Sequence, residues 1–215
     1  PAAVAEVLTA YGLNGAPERV AHDADQAAAA ADALGYPVAL KLVSATITHK
    51  SDVGGVILAL EDAASVREAY GVLERRLSDL GRAGEFEGAL VQRMIGAAYE
   101  GAIGMTLDPQ FGPLLMAGLG GTLLEIHKDV AFRLHPLARE DAASMVESLR
   151  SRPLFDGYRA AAAADRAAFV DAILRVSALV GDLPEIVELD LNPVAVLAPG
   201  RGAIVVDARI RVGAA

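Results

Sequence analysis

The chain has 215 residues, 53% hydrophobic and 22% charged, which excludes a disordered chain. A formal net charge of −9 argues against a protein whose main task is gripping nucleic acid, but leaves room for a small positive pocket that takes a nucleotide. There is no apolar run of about 18 residues for a transmembrane helix, no secretion signal, and no cysteine for a disulfide, a thiolate metal site or a nucleophile, a pattern that fits the cytoplasm.

Apolar side chains recur at helical spacing over residues 4–11, and Gly12 stops that helix. Residues 14–19 read as a turn into a short edge segment. Asp23 caps an alanine-rich helix that ends at Gly35. Residues 38–43 and 56–60 read as two strands of a hairpin, joined by a long polar loop. Asp62 caps a helix to about residue 80, and 89–95 is the next strand. Residues 96–100 read as a turn, 101–107 and 114–118 as a tight hairpin, and 130–134 as a further strand. Helices are expected over 139–149 and 165–181, and strands over 186–191, 194–197 and 203–208. The clusters of strands and helices break near residues 92–96. This is the pattern of an α+β protein with two lobes: a leader at 1–20, one lobe at 21–95 and another at 96–215.

Lys41 interrupts an otherwise apolar strand. A buried ammonium needs an anionic partner, so it reads either as a phosphate-binding lysine or as a lysine that snorkels to water. The loop after it carries Thr46, Thr48, His49, Lys50, Ser51, Asp52, Gly54 and Gly55. Glycines let backbone amides approach phosphate, and a histidine ring nitrogen can take up a phosphoryl group. A plain hairpin loop with turn glycines is the alternative. A second glycine cluster, Gly118, Gly120 and Gly121, precedes Glu125, Lys128, Asp129 and Arg133. It reads as a second wall for phosphate, with Glu125 orienting a proton, or as a turn. Lys128 and Asp129, taken alone, read as a solvated charged face.

The most specific local pattern is Glu188-Leu189-Asp190-Leu191-Asn192-Pro193. Strand alternation puts Glu188, Asp190 and Asn192 on one face, an oxygen-rich set suited to a hard cation such as Mg2+. A short hairpin would bring Asp207 beside Asn192, with Arg209 on the same face. The four histidines, His22, His49, His127 and His135, show no zinc-binding spacing, and no P-loop or nucleophile-elbow motif occurs.

Four blocks together resemble a known family. They are residues 39–56, residues 104–121, Lys128-Asp129-Val130-Ala131-Phe132-Arg133-Leu134, and residues 188–193. In this order they resemble the ATP-grasp beta subunit, or beta domain, of the NDP-forming acyl-CoA synthetases, which are related to the beta subunit of succinyl-CoA synthetase. The resemblance covers nearly the whole chain. It implies a fold of two lobes with ATP or ADP bound between them, Lys41 on the phosphates, and Gly54 and Gly55 covering them. It also implies adenine against a hinge of Val91, Gln92, Arg93 and Met94, and Glu100 on the ribose. Gly120 and Gly121 line the phosphate side. Asn192, Asp207 and Asp190 would hold Mg2+, while Arg133 and Arg209 neutralise phosphoryl charge. His49 would be a second phosphohistidine. The implied reaction is acyl-CoA + ADP + phosphate = acid + CoA + ATP. It needs a CoA-ligase alpha subunit or domain that carries a swinging phosphohistidine, because no dinucleotide fingerprint for CoA occurs here. No nucleic acid or membrane partner is implied. The alternative is a catalytically silent nucleotide sensor within a larger protein, such as a fused acyltransferase.

Overall fold

The computed structural model describes residues 2–47, 50–121, 128–159 and 162–213. The chain divides into a larger unit, Pro1–Gly15 with Ile95–Ala215, and a smaller unit, Ala16–Met94. The leader expected at 1–20 is therefore split. Helix α1 (Ala2–Ala10) and the turn after it belong to the larger unit, because Leu8 and Leu13 are buried in its core. The Asn14 carbonyl also accepts the Val205 N–H at 2.8 Å. The next segment, β1 (Glu18–Ala21), belongs to the smaller unit.

In the smaller unit, α2 (Ala24–Leu34) starts where Asp23 accepts the Gln26 N–H at 2.7 Å and stops at Gly35, whose φ of +82° suits glycine. Strands β2 (Val38–Val43) and β3 (Val56–Leu60) follow as the antiparallel pair read from sequence. Helix α3 (Ala63–Asp79) opens on a capping box of Asp62 and Ser65 and buries Val66, Ala69, Tyr70, Leu73 and Leu77 at helical spacing. With β4 (Gly88–Arg93) the sheet order is β1-β4-β2-β3, antiparallel throughout. Val38, Leu40, Ala89 and Val91 point to the two helices and form the core with them.

The larger unit is built on a six-stranded antiparallel sheet. Its first three strands are β5 (Tyr99–Asp108), β6 (Gly112–Leu119) and β7 (Val130–Leu134). Helices α4 (Arg139–Glu147) and α5 (Arg166–Asp182) come next, then β8 (Ile186–Val196), β9 (Ala203–Val205) and β10 (Ala208–Val212). The order is β10-β8-β5-β6-β7, with β9 also on β8. Two expected strands at 186–191 and 194–197 are one strand, because its register shifts by a residue around Asn192 and Pro193 and the ladder carries on. The expected strand at 203–208 is instead broken into β9 and β10 at Val206 and Asp207.

Cross-strand pairs define the two faces. Ile210, Leu189, Met105, Leu115 and Arg133 lie in one row, facing the helices. Arg209, Asp190, Gly104, Met116 and Phe132 lie in the next row, on the other face. Under the helices, Tyr99, Phe155 and Phe169 pack with ring centroids 4.1 to 5.9 Å apart. Among the described residues no helix is long and apolar enough to cross a membrane.

Gly101 lies under this aromatic group, and a Cβ there would fall 2.5 Å from the ring of fully buried Phe169. Gly101→Ala should lower stability by about 1–3 kcal/mol through overpacking, read as a lower thermal midpoint. An unchanged midpoint would show that the ring has room to move.

Candidate functional site

The larger unit brings together seven of the site residues expected from sequence, Glu100, Gly120, Gly121, Asp190, Asn192, Asp207 and Arg209. On β8, Leu189 and Leu191 point into the core, while Glu188, Asp190 and Asn192 are half-buried on the other face. The Asn192 N–H donates to the Asp207 carbonyl at 3.1 Å, so the corner between β9 and β10 lies against Asn192. The Val206 N–H donates to the Pro193 carbonyl at 3.0 Å and fixes the same corner. The Asn192 side-chain oxygen accepts the Gly121 N–H at 2.8 Å. Gly120 donates to the Glu100 carbonyl at 2.8 Å, and a Cβ on Gly121 would fall 2.3 Å from the Glu100 carboxylate. Glu100, Gly120, Gly121, Asn192 and Asp207 are therefore one constellation. The φ of +65° at Gly121 favours glycine there.

Asp190 faces Arg209 across the β8–β10 ladder. Burial pushes its carboxyl above the usual carboxylate range. Arg209 opposes that shift, while Asp207 and Glu188 reinforce it. Arg211 on β10 pairs with Glu188 at 2.9 Å, which leaves Asp190 and Asp207 as the carboxylates next to Asn192. Gly104 is the cross-strand neighbour of Asp190 on β5, and the Met116 side chain from β6 lies over it, 3.2 Å from where a Cβ would fall.

Arg133 does not belong to this face. It lies on the helix side of β7, where its guanidinium donates to the Phe132 carbonyl at 2.8 Å and to Ser144 Oγ on α4 at 3.1 Å. The partner that an arginine in an apolar strand needs is the helix layer, so a role on phosphate is not supported.

In the smaller unit, Lys41 is half-buried in the middle of β2, between Val56 and Leu90, and is not at a strand end. It lies on the face away from α2 and α3. Gly55 donates to the Lys50 carbonyl at 2.7 Å, and its Cβ would fall 2.8 Å from that oxygen, so its amide closes a turn. The Gly54 carbonyl accepts from Arg76. The expected hinge is largely sheet. Val91 is core, and Gln92 is buried and donates to Glu18 at 2.8 Å. The Arg93 and Met94 amides donate to the Pro17 and Pro37 carbonyls. Backbone recognition of adenine by these four residues is correspondingly limited. His49 and Glu125 lie outside the described residues.

Asp129 is the residue the sequence reading missed. It is 6% exposed, not solvated, and its carboxylate accepts the Arg150 and Ser151 N–H groups at 2.8 and 2.7 Å. Burial pushes its carboxyl up, but the Ser151 hydroxyl, these two N–H groups and the Arg150 guanidinium at 3.7 Å together hold it below the usual range. Its even spacing with inward-facing Ala131 was the available signal.

Among the described residues no three carboxylate or imidazole groups converge tightly enough to hold a metal ion unaided. The amide oxygen of Asn192 with the carboxylates of Asp190 and Asp207 is nonetheless an all-oxygen set. That suits Mg2+, which takes only one or two protein carboxylates beside phosphate and water.

A family model described as ATP-grasp domain matches residues 1–212. The beta subunit of ADP-forming acetate–CoA ligase II of Pyrococcus furiosus is 42% identical over 206 residues, 95% of this chain and 87% of that subunit. ADP-forming acetate–CoA ligase I of Archaeoglobus fulgidus is 42% identical over 207 residues, 96% of this chain, which spans only 30% of that ligase. Among solved structures, acetyl-coenzyme A synthetase 1 of Ca. Korarchaeum cryptofilum, in complex with coenzyme A, Ca-AMPCP and HgCl+, matches with a TM-score of 0.90. Identity is 38%, over 98% of this chain and 91% of that one. The same protein with coenzyme A and Mg-AMPPCP, its phosphohistidine segment pointing towards the nucleotide binding site, matches at 36% identity and TM-score 0.80, over 96% and 88% of the two chains. The chain belongs to the ATP-grasp family, in the branch formed by the beta subunits and beta domains of NDP-forming acyl-CoA synthetases.

In the smaller unit, Glu85 anchors the segment that follows Lys41. It is chelated by Arg82 at 2.7 Å through both carboxylate oxygens and also accepts from Thr46. Arg82, and then Thr46, hold its carboxyl down to about 2 from an ordinary 4.5. A lowered carboxyl stabilises the fold above its unfolded value, and that contribution is lost as pH falls through the folded one. The thermal midpoint of the wild type should exceed that of Glu85→Gln at neutral pH, and the gap should close as pH drops below 4.5. A gap independent of pH would contradict this.

Proposed function

We propose that this chain is the nucleotide-binding component of an NDP-forming acyl-CoA synthetase. Its task is to move a phosphoryl group between ATP/ADP and a phosphohistidine supplied by a CoA-ligase alpha subunit or domain. The net reaction is acyl-CoA + ADP + phosphate = acid + CoA + ATP. The observation that carries this reading is the double restraint on Asn192, with its side-chain oxygen on the Gly121 N–H and its backbone N–H on the Asp207 carbonyl. The oxygens next to it have a chemistry that fits a divalent cation carried with nucleotide phosphates. The high identity to a free-standing beta subunit of nearly the same length supports the assignment to that half of the enzyme.

Asn192, Asp207 and Asp190 would hold Mg2+. Bound there, Mg2+ supplies charge neutralisation on the phosphoryl oxygens. Arg209 adds fixed positive charge for the same oxygens, and Lys41 is proposed as a phosphate-binding lysine of the smaller unit. Glu100 presents a carboxylate to the ribose hydroxyls. Gly120 and Gly121 carry no side chain and allow close approach of the ligand. His49 is proposed as a second acceptor. Its ring nitrogen would take the phosphoryl group as the bond to the partner's histidine breaks, then yield it to a terminal oxygen of ADP. A cytoplasmic location is part of the same proposal.

Calorimetric titration of the wild type with ADP should show binding that Mg2+ strengthens. Asp207→Ala should remove that strengthening. No binding with or without Mg2+, or an Asp207→Ala protein that behaves as wild type, would overturn the assignment.

A further inference from the structure

We propose that Asp129 is a positioning residue that fixes the side-chain oxygen of Asn192 through the stem of the β6–β7 connection. The inference rests on the reading of Asn192 as a ligand for the nucleotide's cation.

The argument is a continuous run of hydrogen bonds. The Asp129 carboxylate accepts the Arg150 and Ser151 N–H groups, just past α4. That fixes the backbone of Asp129 against the helix layer. Its own carbonyl then accepts the Leu119 N–H at 3.0 Å. The stem is tight here, since a Cβ on Gly118 would fall 2.4 Å from that same oxygen. One residue on, Gly120 donates to the Glu100 carbonyl, and the next, Gly121, donates to Asn192 Oδ1. Ser151 ties the near end further, because its hydroxyl bonds Asp129 and lies 3.1 Å from the Tyr99 hydroxyl, next in sequence to Glu100. The partners given to the Asp129 carboxylate are Arg150 and Ser151, which are not among the groups proposed to meet nucleotide or cation. Asp129 acts only on where Gly121, and so Asn192, are held.

Asparagine at this position has the same shape but only one acceptor oxygen, so one of the two N–H groups loses its partner. Supporting residues of this kind typically change metal affinity by 10–100-fold when replaced. The test titrates ADP with and without MgCl2 into the full chain as wild type, Asp129→Asn, Ser151→Ala and Asn192→Ala, with thermal midpoints for each. Asp129→Asn should reduce the strengthening by Mg2+ by about tenfold or more. Affinity without Mg2+ should fall by less. Ser151→Ala should shift the same quantity in the same direction, by less. It decides the matter if Asp129→Asn does not fold. Equal losses with and without Mg2+, or no loss in either variant, overturn the proposal. Asn192→Ala separates the two ideas. If it retains the wild-type response to Mg2+, the cation reading of Asn192 is wrong and the positioning role falls with it. If it loses the response while Asp129→Asn and Ser151→Ala keep it, only the role of Asp129 is wrong.

Discussion

The larger unit depends on a one-residue slip in the ladder between β5 and β8. Ile103 pairs with Leu191, but two residues back Gly101 pairs with Val194, so β8 carries an extra residue at Asn192 and Pro193. Such a bulge turns a side chain out of the regular alternation and ends pairing with one neighbour. Here it does both. Beyond it, the partner along that edge of β8 changes from β10 to β9, and the corner between them settles on the bulge through Asn192 N–H and the Pro193 carbonyl. The same slip leaves Asn192 Oδ1 where Gly121 can reach it. Without the extra residue, Asp207 and Gly121 would have no common neighbour.

Electrostatics give the arrangement its direction. A chain of net charge −9 places Glu188, Asp190 and Asp207 close enough to raise the proton affinity of Asp190. One of these charges is relieved by Arg211 and another is opposed by Arg209. The remaining negative charge is a cost that a divalent cation brought in with phosphate would offset. Nearby backbone is pinned by bonds of ordinary length, and at Gly118 and Gly120 glycine is needed because another backbone atom occupies the space of a Cβ, while Gly121 has a positive φ. A preformed, rigid surround of this kind is what electrostatic stabilisation of phosphoryl transfer requires.

Much of this was legible in the sequence because it rests on short-range rules. Asp23 and Asp62 announced their helices by capping chemistry. The alternation of Glu188, Asp190 and Asn192 with leucines predicted their shared face, and the following hairpin predicted Asp207 beside Asn192. What failed was set by long-range pairing. Arg133 is called to Ser144 by a helix that packs on the sheet, and its parity along β7 says nothing about which face the cofactor would take. The residues of the expected hinge look like a strand end, yet the carbonyls of Pro17 and Pro37, remote in sequence, occupy two of their amides. Asp129 reads as solvent-facing until the turn after α4 is known to present two N–H groups to it. Gly104 is unremarkable until its register places it opposite Asp190.

The central claim is that this chain exchanges a phosphoryl group between nucleotide and a partner's histidine. The most direct measurement follows the label from ATP marked in its γ-phosphoryl group onto a CoA-ligase subunit that works with a beta subunit of this family. The account predicts an acid-labile label on the partner that requires both this chain and Mg2+ and is lost with Asp207→Ala. A chain that binds nucleotide normally, yet never labels a partner that an established beta subunit does label, would contradict it.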